Sequence, residues 1–266
     1  MFELFPSRAV AFSLFGFDIH WYGILYLLAF VLAGILLPKL QRYRGLQWTG
    51  ERWSGVLVAA VLGVIVGGRF GYALLYEPAY FFAHPWEILA VWQGGMSSHG
   101  GFIGVPLAIA WTLRKQRDAW LAVADTAVVP IALGLALGRF GNFINQELYG
   151  TVTTLSWGIA IPGVEGLRHP IPLYAIGKNL LIATVCFWHL RKTSIPGRTF
   201  AIFLLLYGAL RFMLEFIREP THSLVDLGVL TLTRGQLFTI PLLLVGGALY
   251  VWAGRRMHSP GSKTAL

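Results

Sequence analysis

Charge is scarce in this chain. Asp, Glu, Lys and Arg make up 12% of its 266 residues, about half of what a soluble globular domain carries. Cysteine is scarcer still. Cys186 is the only one, so no disulfide within the chain is available, and no low-pKa thiol setting surrounds it. Neither Cys-x-x-Cys nor His-Glu-x-x-His occurs, which leaves no recognisable metal-ligand cluster and no expected cofactor. The first apolar segment lacks a basic leader and a small-residue cleavage site, so a retained span is expected there and not a removed signal.

Apolar residues fill the space that charge leaves: 56% of the chain is hydrophobic and 14% aromatic. About 20 consecutive apolar residues cross a bilayer as a helix. That ruler predicts seven spans, at roughly 20–38, 54–76, 97–113, 119–138, 173–190, 199–217 and 237–254. The expected architecture is all-α, a polytopic membrane protein built as a bundle of seven transmembrane helices. Residues 1–266 form one membrane-embedded domain, with a small extracytoplasmic loop region at about 139–172.

A net charge of +9 would fit a nucleic-acid partner if it were gathered on one surface. It is not. Lys39, Arg42, Arg44 and Arg52, then Arg114, Lys115 and Arg117, then Arg191, Lys192 and Arg198, then Arg255, Arg256 and Lys263 fall in alternate connections. The positive-inside rule places those connections in the cytoplasm. The amino terminus is then outside and the carboxyl terminus cytoplasmic, and no nucleic acid is implicated.

With that orientation, the polar residues of the spans collect toward one face. Tyr22 opens the first span, Arg69 closes the second, and His99 opens the third within Gly94-Gly-Met-Ser-Ser-His-Gly-Gly101. Arg139 and Asn142 close the fourth, Arg168 and His169 precede the fifth, and Arg211, Glu215 and Arg218 end the sixth. Ionisable groups at membrane depth are costly and mark functional cavities. Tyr207, Arg211, Glu215 and Arg218 are spaced to share one helical face, where Glu215 can fix the Arg211 fork. The result expected is a cationic pocket suited to an anionic head group. His99, flanked by glycines that allow close approach, is a candidate general base. Gly63, Gly67 and Gly71, Gly100 and Gly104, and Gly134 and Gly138 read as helix-packing spacings. Asp125 reads as structural, paired with a backbone or hydroxyl group, and His189 has no evident partner.

The thirteen residues Gly138-Arg-Phe-Gly-Asn-Phe-Ile-Asn-Gln-Glu-Leu-Tyr-Gly150 closely resemble the signature of bacterial prolipoprotein diacylglyceryl transferases. So, in the same order along nearly the whole chain, do His20-Trp-Tyr-Gly23, Gly67-Gly-Arg-Phe-Gly-Tyr72, the glycine-rich block around His99, Arg168-His-Pro170, Tyr207-Gly-Ala-Leu-Arg-Phe212, Glu215-Phe-Ile-Arg218 and Gly235-Gln236. The resemblance implies an enzyme of lipoprotein biogenesis. It would transfer the sn-1,2-diacylglyceryl group from phosphatidylglycerol to the lipobox cysteine thiol of a prolipoprotein signal peptide, releasing glycerol phosphate. By motif position His99, Arg139, Arg211 and Glu215 form the catalytic set, and Tyr22, Arg69, Asn142, Glu147, Gly150 and Arg218 bind substrate. Such enzymes are multi-pass proteins of the bacterial cytoplasmic (inner) membrane, with the active site toward the extracytoplasmic side.

The chain departs from the family around the fifth span. Where the family usually continues Ser-Gln-Leu-Tyr-Glu after the Arg-His-Pro, this chain has Ile171-Pro-Leu-Tyr-Ala175. Asn179 stands where a second glutamate is usual, and Thr221 where an aspartate is. Two rival readings are a lipid transporter, which predicts inverted repeats and polar groups on both sides, and an inactive homologue that binds phosphatidylglycerol.

Overall fold

Long apolar runs with internal prolines and few caps can still be helices when backbone groups have no water to turn to. In the computed structural model, which describes residues 10–219, 225–226 and 231–256, that is the outcome. Eight α-helices are present among the described residues: α1 (Trp21–Leu40), α2 (Gly50–Leu75), α3 (Pro78–Ala83), α4 (Ser98–Thr112), α5 (Trp120–Ile144), α6 (Ile171–Lys192), α7 (Arg198–Glu215) and α8 (Arg234–Arg256). Pro38, Pro106, Pro130 and Pro241 lie inside α1, α4, α5 and α8 without ending them. Thr49 caps α2 by accepting a hydrogen bond from the Arg52 N–H. The last turn of α6 carries His189, Arg191 and Lys192, cations suited to a helix C-terminus. The described residues also form three short antiparallel strand pairs: β1 (Val10–Leu14) with β2 (Phe17–His20), ahead of α1, β3 (Ile159–Ala160) with β4 (Leu167–Arg168), between α5 and α6, and β5 (Val225–Asp226) with β6 (Thr231–Leu232), between α7 and α8.

Among the described residues, five helical segments are long and apolar enough to cross a membrane: Trp21–Arg44, Gly50–Leu75, Trp120–Ile144, Ile171–Lys192 and Gly235–Arg255. The expected third and sixth spans are helices of a different kind. α4 has 15 residues, short for a crossing, and α7 has 18 but includes Arg198, Arg211 and Glu215. Leu27, Val31 and Ile35 on α1 and Leu244, Val245 and Val251 on α8 are exposed on the bundle's outside. An apolar exterior of that extent is what a hydrocarbon solvent requires.

α5 is the central post, packing on α1, α6 and α7, while α2 packs on α4 and α7 on α8. One core joins Leu40, Val128, Ala132, Ile182, Cys186 and Phe203, drawn from four helices. The single cysteine is thus a buried core residue, as expected.

The glycine spacings resolve into two cases. A Cβ on Gly67 would collide with the Gly100 carbonyl oxygen and lie 2.8 Å from Gly104 Cα, and Gly63 and Gly71 meet α4 backbone in the same way. The α2–α4 contact is therefore backbone against backbone. Gly138, by contrast, has nothing within 4 Å of an added Cβ, so packing does not explain it. Gly67→Ala should cost about 1–3 kcal/mol through overpacking, read as a lower melting temperature in detergent, while Gly138→Ala should leave melting unchanged.

At one end of the bundle, Arg44 is buried and donates to five groups. Its Nε meets Asp125 Oδ2 at 2.6 Å, Nη2 meets Thr199 Oγ1 at 2.6 Å, and Nη1 reaches the carbonyls of Tyr43, Leu190 and Thr193 at 2.8, 3.1 and 2.6 Å. Asp125 also accepts from the Gly197 and Phe200 N–H groups at 2.8 and 2.7 Å. His189 Nδ1 lies 3.0 Å from Thr199 Oγ1. Asp125 is structural as expected, but its main partner is a cation, and Arg44 is not a free surface charge. His189 has a partner that its sequence position does not reveal. The cluster ties the α1 end, the start of α5 and the α6–α7 turn together.

Candidate functional site

The opposite end of α5 holds the signature. From Asp125 to Arg139 the helix rises about 20 Å. After Ile144 the chain reverses through left-handed backbone at Gln146 (φ 56°) and Leu148 (φ 55°). Non-glycine residues rarely occupy that region, and such strain concentrates at functional sites. The reversal folds Glu147 back onto α5: its N–H donates to the Asn142 carbonyl at 2.9 Å.

A polar knot results. Tyr22 Oη donates to Glu147 Oε2 at 3.1 Å, Asn142 Nδ2 donates to the same oxygen at 3.2 Å and also to Tyr22 Oη, and Asn145 Nδ2 donates to Glu147 Oε1 at 3.1 Å. With its amide nitrogen held, Asn142 turns its Oδ1 to accept from Arg139 Nη1 at 3.0 Å. Gly141 makes room for this: a Cβ there would lie 2.9 Å from the Tyr22 ring.

Arg139 opens into a small cleft whose wall also includes Arg211, Arg218, Lys178, Leu148, Leu214, Ile171, Pro172 and Ala175. The arginines come from α5, α7 and the segment after α7. Glu215 accepts from Arg211 Nη1 and pairs with Arg218 at 3.6 Å. The four-residue shared face proposed for this region is shorter than expected. α7 ends at Glu215, and Arg218 instead bridges to Gly150. That join is tight. The Gly150 N–H donates to the His169 carbonyl at 2.9 Å, Thr151 N–H donates to the Ile217 carbonyl at 3.0 Å, and a Cβ on Gly150 would lie 2.5 Å from the Ile217 oxygen. Arg168 pairs with Glu219 at 2.9 Å beside it. Gly235, opening α8, lies against the Glu215 carboxylate, which a larger residue there would displace.

Arg69 takes a different place from the other arginines. Buried, it donates to the carbonyls of Ile88, Gly94, Gly95 and Glu87 at 2.9, 2.5, 3.2 and 2.6 Å, and it is not on the cleft wall. It clamps the loop leading into α4. Gly94 and Gly95 have positive φ, and a Cβ on Gly95 would strike the Tyr72 ring and Arg69 Nη1. Ser97 then caps α4, accepting from the Gly100 N–H at 3.2 Å. The backbone of His99 lies in the first turn of α4; its side chain is outside the described residues, as is Thr221.

One cleft residue escapes the sequence reading. Lys178, on α6, is buried, with Nζ 3.9 Å from the Tyr207 ring centroid. An ionisable residue inside an apolar helix was the available signal. The departures divide as well. Ile171, Pro172 and Ala175 are on the cleft wall, whereas Asn179 is buried away from it. Among the described residues no group of three His, Cys, Asp or Glu converges as a metal site would require.

Comparison with known proteins gives the family. A family model described as prolipoprotein diacylglyceryl transferase matches residues 9–252. The chain is similar to the phosphatidylglycerol–prolipoprotein diacylglyceryl transferase of Polynucleobacter asymbioticus, 42% identical over 247 residues, covering 91% of this chain and 94% of the relative. The protein of the same name in Nitrosomonas europaea is 42% identical over 258 residues, with 94% and 91% covered. That in Cupriavidus necator is 43% identical over 260 residues, with 95% of each covered. A match of that length and identity, together with a signature folded around a cationic cleft, makes this chain a member of the prolipoprotein diacylglyceryl transferase family.

Proposed function

We propose that this protein moves the sn-1,2-diacylglyceryl group of phosphatidylglycerol onto the lipobox cysteine thiol of a prolipoprotein signal peptide and releases glycerol phosphate. The observation that carries the reading is the meeting of guanidinium groups from separate segments on one cleft wall. Arginine forks match phosphate oxygens in shape and charge. Arg139 and Arg211 hold the phosphodiester and Asn142 orients Arg139. Tyr22 and Glu147 hold Asn142 in turn. Glu215 orients Arg211 and Arg218, and Gly150 sets the Arg218 backbone. Arg69 acts at one remove, by shaping the loop that presents His99. His99 takes the thiol proton, the thiolate attacks the glyceryl C3, and the arginines stabilise charge on the departing phosphate.

Residues 1–266 act as one membrane-embedded domain with seven spans in the inner membrane, α4 and α7 completing the five long apolar helices. The alternation of basic connections supports an outer amino terminus, a cytoplasmic carboxyl terminus and a cleft facing the extracytoplasmic side. The region at 139–172 is then the small extracytoplasmic one.

The test is direct. Purified protein in phosphatidylglycerol liposomes, given a lipobox peptide, should add a diacylglyceryl mass to the peptide and release glycerol phosphate; phosphatidylcholine liposomes should give neither. Absence of product from the wild type would remove the enzyme reading and favour a silent binder or a transporter. Within this reading, Gly150→Ala should lower the rate by up to about 10²-fold, because misplacing a phosphate-holding group by an ångström is enough to do so. The comparison to make is lipidation rate against melting temperature: a loss of both together would mark Gly150 as a folding residue only.

A further inference from the structure

The cleft carries more positive charge than the phosphodiester of phosphatidylglycerol requires. Arg211 and Arg218 share one carboxylate, Glu215. Arg139 faces the neutral amide of Asn142. Lys178 has, among the described residues, no carboxylate within ion-pair distance; its Nζ lies instead over the Tyr207 ring. Elsewhere in the fold, Arg44 is matched by Asp125 and Arg168 by Glu219, while the buried Arg69 is satisfied by four backbone carbonyls; Lys178 has neither kind of partner among the described contacts. A cation placed inside an apolar helix without a counter-charge is costly, so the excess calls for an anion that is not part of the protein.

Position narrows the role. Ile171, Ala175 and Lys178 follow one another at four and three residues along α6, one face of the helix, and all three line the cleft. Ile171, Pro172 and Ala175 make the wall around Lys178 apolar. The low-polarity surround strengthens whatever charge interaction Lys178 makes.

Resting on the transferase reading above, we propose that Lys178 is a further catalytic residue, a cation that meets the second negative charge appearing on the phosphate as glycerol phosphate departs. In the transfer step, a sulfur lone pair forms the new S–C bond at the glyceryl C3. The C3–O bond breaks, and its electron pair stays on the phosphate oxygen. The thiol proton goes to the base, His99 in that reading. A phosphodiester with one negative charge thereby becomes a phosphomonoester with two, its second pKa being about 6. Three arginines offset by one glutamate serve the ground state. The fourth cation gains most when the charge doubles, and an interaction stronger in the transition state than in the ground state raises kcat and leaves KM nearly unchanged.

Lys178→Met removes the charge and keeps the stem length; Lys178→Arg keeps the charge, and Lys178→Gln serves where the methionine variant does not fold. Two readouts are needed. Steady-state lipidation should show kcat lowered by about 10²-fold, with KM for phosphatidylglycerol within about threefold of wild type, and most of the loss restored in Lys178→Arg. Calorimetry on detergent-solubilised protein compares glycerol phosphate, the dianionic product, with glycerophosphoglycerol, the monoanionic head group. The charge-removing variant should lose about tenfold or more in affinity for the first and little for the second, a difference of about 1.4 kcal/mol per decade. Equal weakening of both ligands would make Lys178 an ordinary anion holder, and no weakening of either would reduce it to a packing post on Tyr207; each result overturns the proposal. Failure of the transferase reading itself is distinguishable, since the wild type would then not lipidate the peptide at all, whether or not it binds either ligand.

Discussion

Arg139→Ala and Arg211→Ala are each expected to lower diacylglyceryl transfer by about 10²–10³-fold, the cost of removing one preorganised donor from a developing anion. Both side chains line one cleft, and both are held from behind, Arg139 by Asn142 and Arg211 by Glu215. That backing is what makes the arginines donors in a fixed direction and not merely positive charges. Lysine should therefore replace either one poorly, as a point charge without the planar fork. Asn142→Ala should cost less than Arg139→Ala, because it frees the guanidinium without deleting it. The measurement is peptide mass addition in phosphatidylglycerol liposomes, with melting temperature as a control for folding. Near-wild-type transfer by Arg139→Ala and Arg211→Ala would remove the cleft from consideration as the active site.

The second large effect concerns the other end of the bundle and has no bearing on chemistry. Asp125→Ala should destabilise the protein by about 3–5 kcal/mol, the cost of leaving a buried partner charge uncompensated. The figure includes more than one bond. Arg44 loses its counter-charge, and the N–H groups of Gly197 and Phe200 lose their acceptor in a place where water does not compete. Arg44→Met should be nearly as damaging alone. The pair replaced together, Arg44→Met with Asp125→Leu, should be closer to wild type than either single change, because an apolar pair strands no charge. Thermal unfolding of the four proteins closes a double-mutant cycle. Additive losses in that cycle would show that Arg44 and Asp125 act separately, whatever their 2.6 Å contact.

The two ends of α5 thus do opposite things with the same residue types. At Asp125 every polar atom is spent on the protein itself. At Arg139 the knot of Tyr22, Asn142 and Glu147 aims a guanidinium into open space. The sequence places Arg44 among the topology charges and Arg139 in the cationic pocket, but that Arg44 is also a staple is invisible until its neighbours are known.

Much was nonetheless legible. Apolar runs of about 20 residues marked α1, α2, α5, α6 and α8, since hydrocarbon length is a one-dimensional constraint. The signature between Gly138 and Gly150 pointed to Arg139, Asn142, Glu147 and Gly150, and the family followed from it. Spacing alone overreached at α7, where a helical face was extended to Arg218 although the helix ends at Glu215. It passed over Lys178, an ionisable residue in an apolar stretch that α6 places on the same cleft wall as Arg139 and Arg211.

What the chain determined by itself is whatever depends on local composition: helix positions, an apolar exterior, the family motif and the identity of the charged groups. Only the tertiary structure decided which charges are neutralised. Charge pairing depends on distances between segments far apart in sequence, and Coulomb energy falls with separation in space and not along the chain. Asp125 therefore met Arg44, Glu215 was shared by two arginines, and Lys178 was left facing the cleft.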